Sequence, residues 1–222
     1  MRQSPIEFSL IHHSDIRFGE VDGMNTALSI VDTETESSYL MNLGLVDTTF
    51  LHRIGLKGPN AMQFLLSLGF PVPATSNHWE PLEGGGVLMR LGMTEFFIED
   101  GPSGVVVKQL AEKLGPDGLA GVYPVRRQDA AIVLCGTMQD GLLAQTCNVN
   151  FTGIVGTDRI VIMTSMVGVS VVMVQKEVSG EPSWKIWCDG TFGHYLWGTL
   201  LEIVSEMGGG VIGCARLYPE LG

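Results

Sequence analysis

The chain's 222 residues suffice to bury a full core, as one large domain or as two small intimate ones. Charged residues make up only 17% against 45% hydrophobic, where about a quarter charged is usual, so apolar surface left once a core is filled would serve as a partner interface. Thirteen Lys and Arg against 24 Asp and Glu give a net charge of −11, which repels phosphate backbones and anionic lipid and argues against nucleic-acid and membrane-surface binding.

The first fifteen residues, MRQSPIEFSLIHHSD, lack the long apolar core of a signal peptide. No run of about 18 apolar residues exists for a spanning helix, and the most apolar stretch, 160–174, is cut by Thr164, Ser165, Gly168 and Ser170. Residues 1–40 are polar and loosely patterned, with the acidic-hydroxyl run 32–38 (DTETESS), and read as an irregular arm with one strand. Residues 45–49 (LVDTT) lead into an apolar strand at 53–57 (RIGLK), stopped by Gly58. Pro59 then sits where a first helical turn tolerates a missing N–H, and Ala61, Phe64, Leu65 and Leu68 recur at helical spacing. Residues 71–73 and 77–83 read as a connecting loop. Gly84–Gly86 opens a hairpin of 87–91 and 95–98 around Gly92, and a helix over 105–114 turns Leu110, Ala111 and Leu114 inward before Gly115-Pro116.

The second half repeats this order. After the step Arg126-Arg127-Gln128-Asp129 comes a strand at 131–135 (AIVLC) stopped by Gly136, then a helix over 137–147 with Thr137 as its cap and Leu142 and Leu143 on one face. A hairpin of 160–163 with 169–174, a strand at 184–188 (WKIWC) and a helix over 195–207 carrying Leu196, Leu200, Ile203, Val204 and Met207 complete it, stopped by Gly208–Gly210. The spacing from Gly58 to Gly136 is shorter than that from Gly115 to Gly208, which places an insertion in the second half, near 151–158 or 175–181. The expected fold is α+β, with duplicated β-α-β-β-α, ferredoxin-like halves and antiparallel sheet. Its organisation is an arm over 1–44 and a domain over 45–217, with half-repeats at about 45–120 and 121–217.

Candidate chemistry is sparse. His12 and His13 are adjacent, lack further donors at converging spacing and read as solvated arm residues. His52, His78 and His194 stand singly, with no nucleophile set beside them. Gly84–Gly86 precedes a strand and Gly208–Gly210 follows a helix, so neither is a phosphate cradle, which needs a strand before it and a helix N-terminus after it. Cys135, Cys147, Cys188 and Cys214 lie in apolar elements without a C-x-x-C pair and read as reduced, buried thiols in a cytoplasmic protein. Met163, Met166 and Met173, and Trp184, Trp187 and Trp197, read as core or interface. Glu95, Glu99 and Asp100 end the first hairpin; they could hold a polar heterocycle but read as a solvated strand edge. His78 and Trp79 on their loop, and Arg126, Arg127 and Asp129, are the partner-contact candidates. The latter set reads first as a brace across the junction between the halves through Arg–Asp pairing, next as a partner contact and last as part of a substrate site. No catalytic, cofactor-binding or metal-ligating residue is assigned.

In order and spacing, several segments resemble the aminomethyltransferase-like folate-binding superfamily, most closely its gamma-subunit family of heterotetrameric sarcosine oxidases. They are 45–49 (LVDTT), 53–61 (RIGLKGPNA), 92–96 (GMTEF), 122–130 (VYPVRRQDA), 143–147 (LAQTC), 187–189 (WCD) and 193–197 (GHYLW). The resemblance implies a duplicated ferredoxin-like α+β fold within a multi-subunit flavoenzyme that oxidatively demethylates sarcosine or a related secondary amine. It further implies larger flavoprotein subunits as partners, which carry FAD, FMN, NAD and the tetrahydrofolate that accepts the one-carbon unit, with a structural role for this chain. Folate-using members carry an Asp-rich stretch where this chain reads 84–91 (GGGVLMRL), and continue into a C-terminal β-barrel where this sequence stops at Gly222. The Lys-Gly-Cys-rich motif of the iron–sulfur-linked folate-binding proteins is also absent, so folate binding by this chain alone is not expected. The alternatives are a stand-alone folate-binding one-carbon carrier and the equivalent subunit of a complex oxidising N-methylglutamate or dimethylamine.

Overall fold

The computed structural model describes residues 2–222 apart from 11–14, 152, 155–157 and 179, so His12 and His13 lie outside the described residues. Residues 1–50, 129–158 and 163–222 form one compact unit, and residues 51–128 with 159–162 form another. Among the described residues no helix is long and apolar enough to cross a membrane.

The first unit opens with α1 (Glu7–Leu10), the antiparallel pair β1 (Arg17–Val21) and β2 (Met24–Ser29), then α2 (Thr33–Asn42) and β3 (Gly44–Asp47). The irregular arm expected over 1–40 is thus two helices and a hairpin. The hairpin turns on Asp22 and Gly23, both left-handed at φ 48° and 75°, which matches the right-handed twist of the flanking strands. The acidic-hydroxyl run is a helix start. Asp32 Oδ1 accepts the Thr35 N–H at 2.9 Å, and Glu34 and Glu36 occupy the first turn, where the helix dipole favours negative charge. Glu36 is itself buried and accepts from the Ile30 N–H at 2.7 Å and the Gly213 N–H at 3.0 Å, tying the C-terminal segment to α2.

The second unit comprises β4 (Arg53–Lys57), α3 (Ala61–Ser67), β5 (His78–Pro81), β6 (Val87–Arg90), β7 (Glu95–Glu99), α4 (Val106–Leu114) and β8 (Tyr123–Arg126). Its sheet has the order β5-β6-β7-β4-β8, all antiparallel. The loop expected over 77–83 therefore contains a strand at the end of the sheet order, a place where a proline such as Pro81 is tolerated. Ile54, Leu56, Leu65, Phe96, Ile98, Leu110 and Leu114 form the core between this sheet and its helices. Val107, Leu110 and Leu114 supply the buried face of α4, whereas Ala111, expected inward, is exposed.

The first unit resumes with β9 (Asp129–Cys135), α5 (Gln139–Thr146), β10 (Val161–Met166), β11 (Val169–Val178), β12 (Glu181–Asp189), α6 (Gly193–Glu206), β13 (Gly210–Val211) and α7 (Cys214–Leu217). Its sheet runs β10-β11-β12-β9-β3-β13, and among the described pairings only β13 with β3 is parallel. The expected duplication is present: β4-α3-β5-β6-β7-α4 and β9-α5-β10-β11-β12-α6 share one strand order. The strand before each repeat completes the other repeat's sheet, since β8 pairs with β4 and β3 pairs with β9. Part of the extra length lies in the β11–β12 hairpin, whose strands have 10 and 9 residues against 4 and 5 in β6 and β7.

Thr137 does not cap α5. The N-cap position is Met138 without a side-chain bond, and the N–H groups of Thr137 and Met138 instead donate to the carbonyls of Met41 and Asn42, each at 2.9 Å. Gly136 permits this approach: it has φ 99°, and a side chain there would collide with the Asn42 carbonyl.

Candidate functional site

Strand alternation puts Ile54 and Leu56 of β4 into the helix-covered core and turns Arg53, Gly55 and Lys57 to the opposite sheet face. Strand registers align Trp79, Met89, Phe97, Gly55 and Val125 in one row across all five strands of that face. One step along, Val87 lies opposite Glu99 and Glu99 opposite Arg53.

Two features make the face unusual. Arg53 Nε donates to Glu99 Oε2 at 3.0 Å, with side chains only 3% and 0% exposed. The Arg127 guanidinium lies 4.6 Å from the Phe97 ring centroid. Gly55 makes the stack possible. A Cβ on it would stand 3.0 Å from Val125 Cβ and 3.4 Å from Arg127 Cδ, so the arginine stem occupies the groove the missing side chain leaves. A partly desolvated cation–π contact contributes roughly 0.5–2 kcal/mol.

Beside the ion pair, Asp100 is buried and takes over the capping of α4. Its Oδ1 and Oδ2 accept the N–H groups of Val106 and Val107, each at 3.1 Å. Burial pushes its carboxyl above the ordinary value, opposed by those two backbone bonds and by nearby His52. Glu95 pairs with Lys57 at 3.1 Å on the surface. The solvated strand edge expected of Glu95, Glu99 and Asp100 is thus wrong for the last two, and all three carboxylates are engaged within the chain.

The first unit offers a parallel. Lys185, 1% exposed, stands 5.5 Å from the ring centroid of Trp187, two residues on along β12. Both lie on the sheet face opposite Ala130, the side against which α6 sets Gly193. At the end of that sheet Asp129 and Asp189 are register partners; Asp189 caps the turn Gly190–Phe192, accepting from the Thr191 N–H at 2.9 Å. Burial, with the Asp129 and Asp189 carboxylates, pushes the Cys188 thiol up to about 12, and burial aided by Asp47 does the same for Cys214. All four cysteines are free and buried. Met166, Met173 and the three tryptophans of the first unit are core residues, while Met163 is exposed. Among the described residues no group of three or more His, Cys, Asp or Glu could hold a metal ion.

The residues singled out from sequence scatter. His78 begins β5, its Nδ1 within 2.9 Å of Thr75 Oγ1 and 3.0 Å of the Ser76 carbonyl. Trp79 is buried in the aromatic row, and its Nε1 has no hydrogen-bond partner among the described residues. Arg126 is exposed on β8, Arg127 stacks on Phe97, and Asp129 is buried in the other unit. Arg53, Gly55 and Phe97, which hold the site together, were missed, and Glu99 was noticed but read as solvated. The available signal was charge at both ends of otherwise apolar strands, four residues apart and so on one face, in R-I-G-L-K and E-F-F-I-E.

This duplicated arrangement is similar in fold to solved aminomethyltransferase domains. Among solved structures the chain is similar to glycine cleavage system aminomethyltransferase T from Bartonella henselae, at 16% identity and TM-score 0.76 over 96% of this chain and 60% of that one. It is also similar to a chain of heterotetrameric sarcosine oxidase from Corynebacterium sp. U-96 in complex with pyrrole 2-carboxylate, at 18% identity and TM-score 0.61 over 79% of this chain and 92% of that one. At these identities the likeness is one of fold, and the chain spans 60% of the aminomethyltransferase's length. No protein-family model and no curated protein matches the sequence.

Proposed function

We propose that the chain is a non-catalytic subunit, gamma-like, of a multi-subunit flavoenzyme that oxidatively demethylates sarcosine or a related secondary amine. The observation that carries this reading is the disposition of the carboxylates. Holding a pterin calls for an acidic side chain free to accept from the heterocycle. In the stretch where folate users carry Asp, Val87, Leu88 and Met89 are apolar and fully buried. Glu95, Glu99 and Asp100 nearby serve Lys57, Arg53 and α4. These residues do not fit tetrahydrofolate. In this reading tetrahydrofolate, FAD, FMN and NAD belong to larger partner subunits in the cytoplasm. The fold shared with a heterotetramer's chain and the low charged fraction, 17%, support the assembly.

Calorimetric titration of the isolated chain with tetrahydrofolate tests the reading. No saturable heat is expected; tight stoichiometric binding would overturn it in favour of a stand-alone one-carbon carrier. Assays of the purified complex with sarcosine, N-methylglutamate and dimethylamine identify which amine it oxidises.

A further inference from the structure

We infer that the outer face of α6, with α1 and the β10–β11 turn, is a docking surface for a larger partner chain whose contacting rim is basic. This rests on the multi-subunit reading and assigns it a surface. Phe192 and Tyr195 are one helical turn apart and 52% and 54% exposed, and Phe8 is 65% exposed. Phe8 packs edge-on against His194, ring centroids 5.9 Å apart, and Ser9 Oγ lies 2.8 Å from His194 Nδ1, so α1 lies along the flank of α6 next to Tyr195. Two exposed aromatics on one turn of α6, with a third on the helix packed at its flank, exceed the scattered apolar exposure usual on a surface.

The backbone beside them is strained. Val167, at the β10–β11 turn, has φ 42°, a conformation costly for a β-branched residue. It is held there by its N–H donating to the Thr146 carbonyl at 2.9 Å and its carbonyl accepting from Tyr195 Oη at 3.3 Å. The turn is thereby fixed against the aromatic patch.

Charge selects the occupant. Thr199, Glu202 and Glu206 follow Tyr195 along one helical stripe, with both glutamates exposed, and Glu7 and Asp189 flank the patch. No Lys or Arg occurs in residues 128–158, 160–175 or 186–215, which supply α5, this turn and α6. Two copies of this chain meeting here would set carboxylate against carboxylate. A partner with Lys or Arg around an apolar centre complements it.

The test is photo-crosslinking in the native source, with a benzophenone-bearing amino acid replacing Phe192 in a tagged chain, and the same probe replacing Met93, 81% exposed in the other unit, as comparison. The expected result is a crosslink from position 192, and not from 93, to a co-purifying larger chain, at a peptide containing Lys or Arg. Glu202→Lys with Glu206→Lys should lower the co-purified larger chain by about tenfold. A crosslink to a second copy of this chain, or none at 192 while a larger chain co-purifies, overturns the docking surface and leaves the subunit reading standing. Absence of any larger chain sinks both.

Discussion

Replacing Glu99 by Gln removes the carboxylate that pairs with the buried Arg53 guanidinium, and the structure sets the size of the effect. At 3.0 Å the pair's attraction is about 5–6 kcal/mol for an effective dielectric near 20, offset by several kcal/mol of desolvation for each ion. The intact pair is therefore worth little net, while the broken pair keeps the desolvation cost. We expect Glu99→Gln to destabilise the second unit by about 3–5 kcal/mol, and Arg53→Met with Glu99→Leu to fall within about 1 kcal/mol of the natural chain. Hydrogen exchange of β4 and β7 amides measures this locally, without requiring the whole chain to unfold in one step. The single variant should lose at least about a hundredfold in protection. A loss below about tenfold, or a double variant as damaged as the single one, would refute the reasoning.

Gly55→Val should drive Arg127 off Phe97 and crowd Val125, costing about 2–4 kcal/mol in urea unfolding, with Gly55→Ala milder; an unchanged midpoint would show the groove to be slack. Asp100 has a folded-state carboxyl value above 3.8, so the folded chain binds the extra proton, and this group's contribution to stability is gained as pH falls through that value and lost as pH rises through it. The stability difference between the natural chain and Asp100→Asn should therefore move in favour of the natural chain from pH 7 to pH 4, and a flat or opposite trend would count against it. With thiols at about 12, Cys188 and Cys214 expose about a thousandfold less thiolate than at the usual 9.0. Iodoacetamide at pH 8 should leave both unmodified in the folded chain and modify them in urea; comparable rates in the two states would contradict their burial.

The repeat was legible in the sequence because its punctuation is local: Gly58, Gly136, Gly115 and Gly208 stop apolar runs whose period can be read directly. The hairpin at Asp22-Gly23 was equally local and was overlooked because the flanking strands, R-F-G-E-V and M-N-T-A-L-S, are only partly apolar. The run after Asp32 was misread as part of an irregular arm because helix caps and irregular segments draw on the same residue types, and only the bond to Thr35 separates them. The site itself was out of reach. Arg53 meets Glu99, and Arg127 meets Phe97, through registers of β4 with β7 and β8, and a slip of one residue would turn each side chain to the other face. Nothing in the local pattern around Asp100 indicated that it would cap a helix beginning six residues later.

The assembly proposed for this fold, with its redox groups on other chains, can be weighed by native mass spectrometry of the tagged protein drawn gently from its own source. The expected result is stoichiometric complexes with larger chains that carry flavin absorbance, and none in the tagged chain once separated. A homogeneous lone chain holding its own tetrahydrofolate or flavin would contradict it.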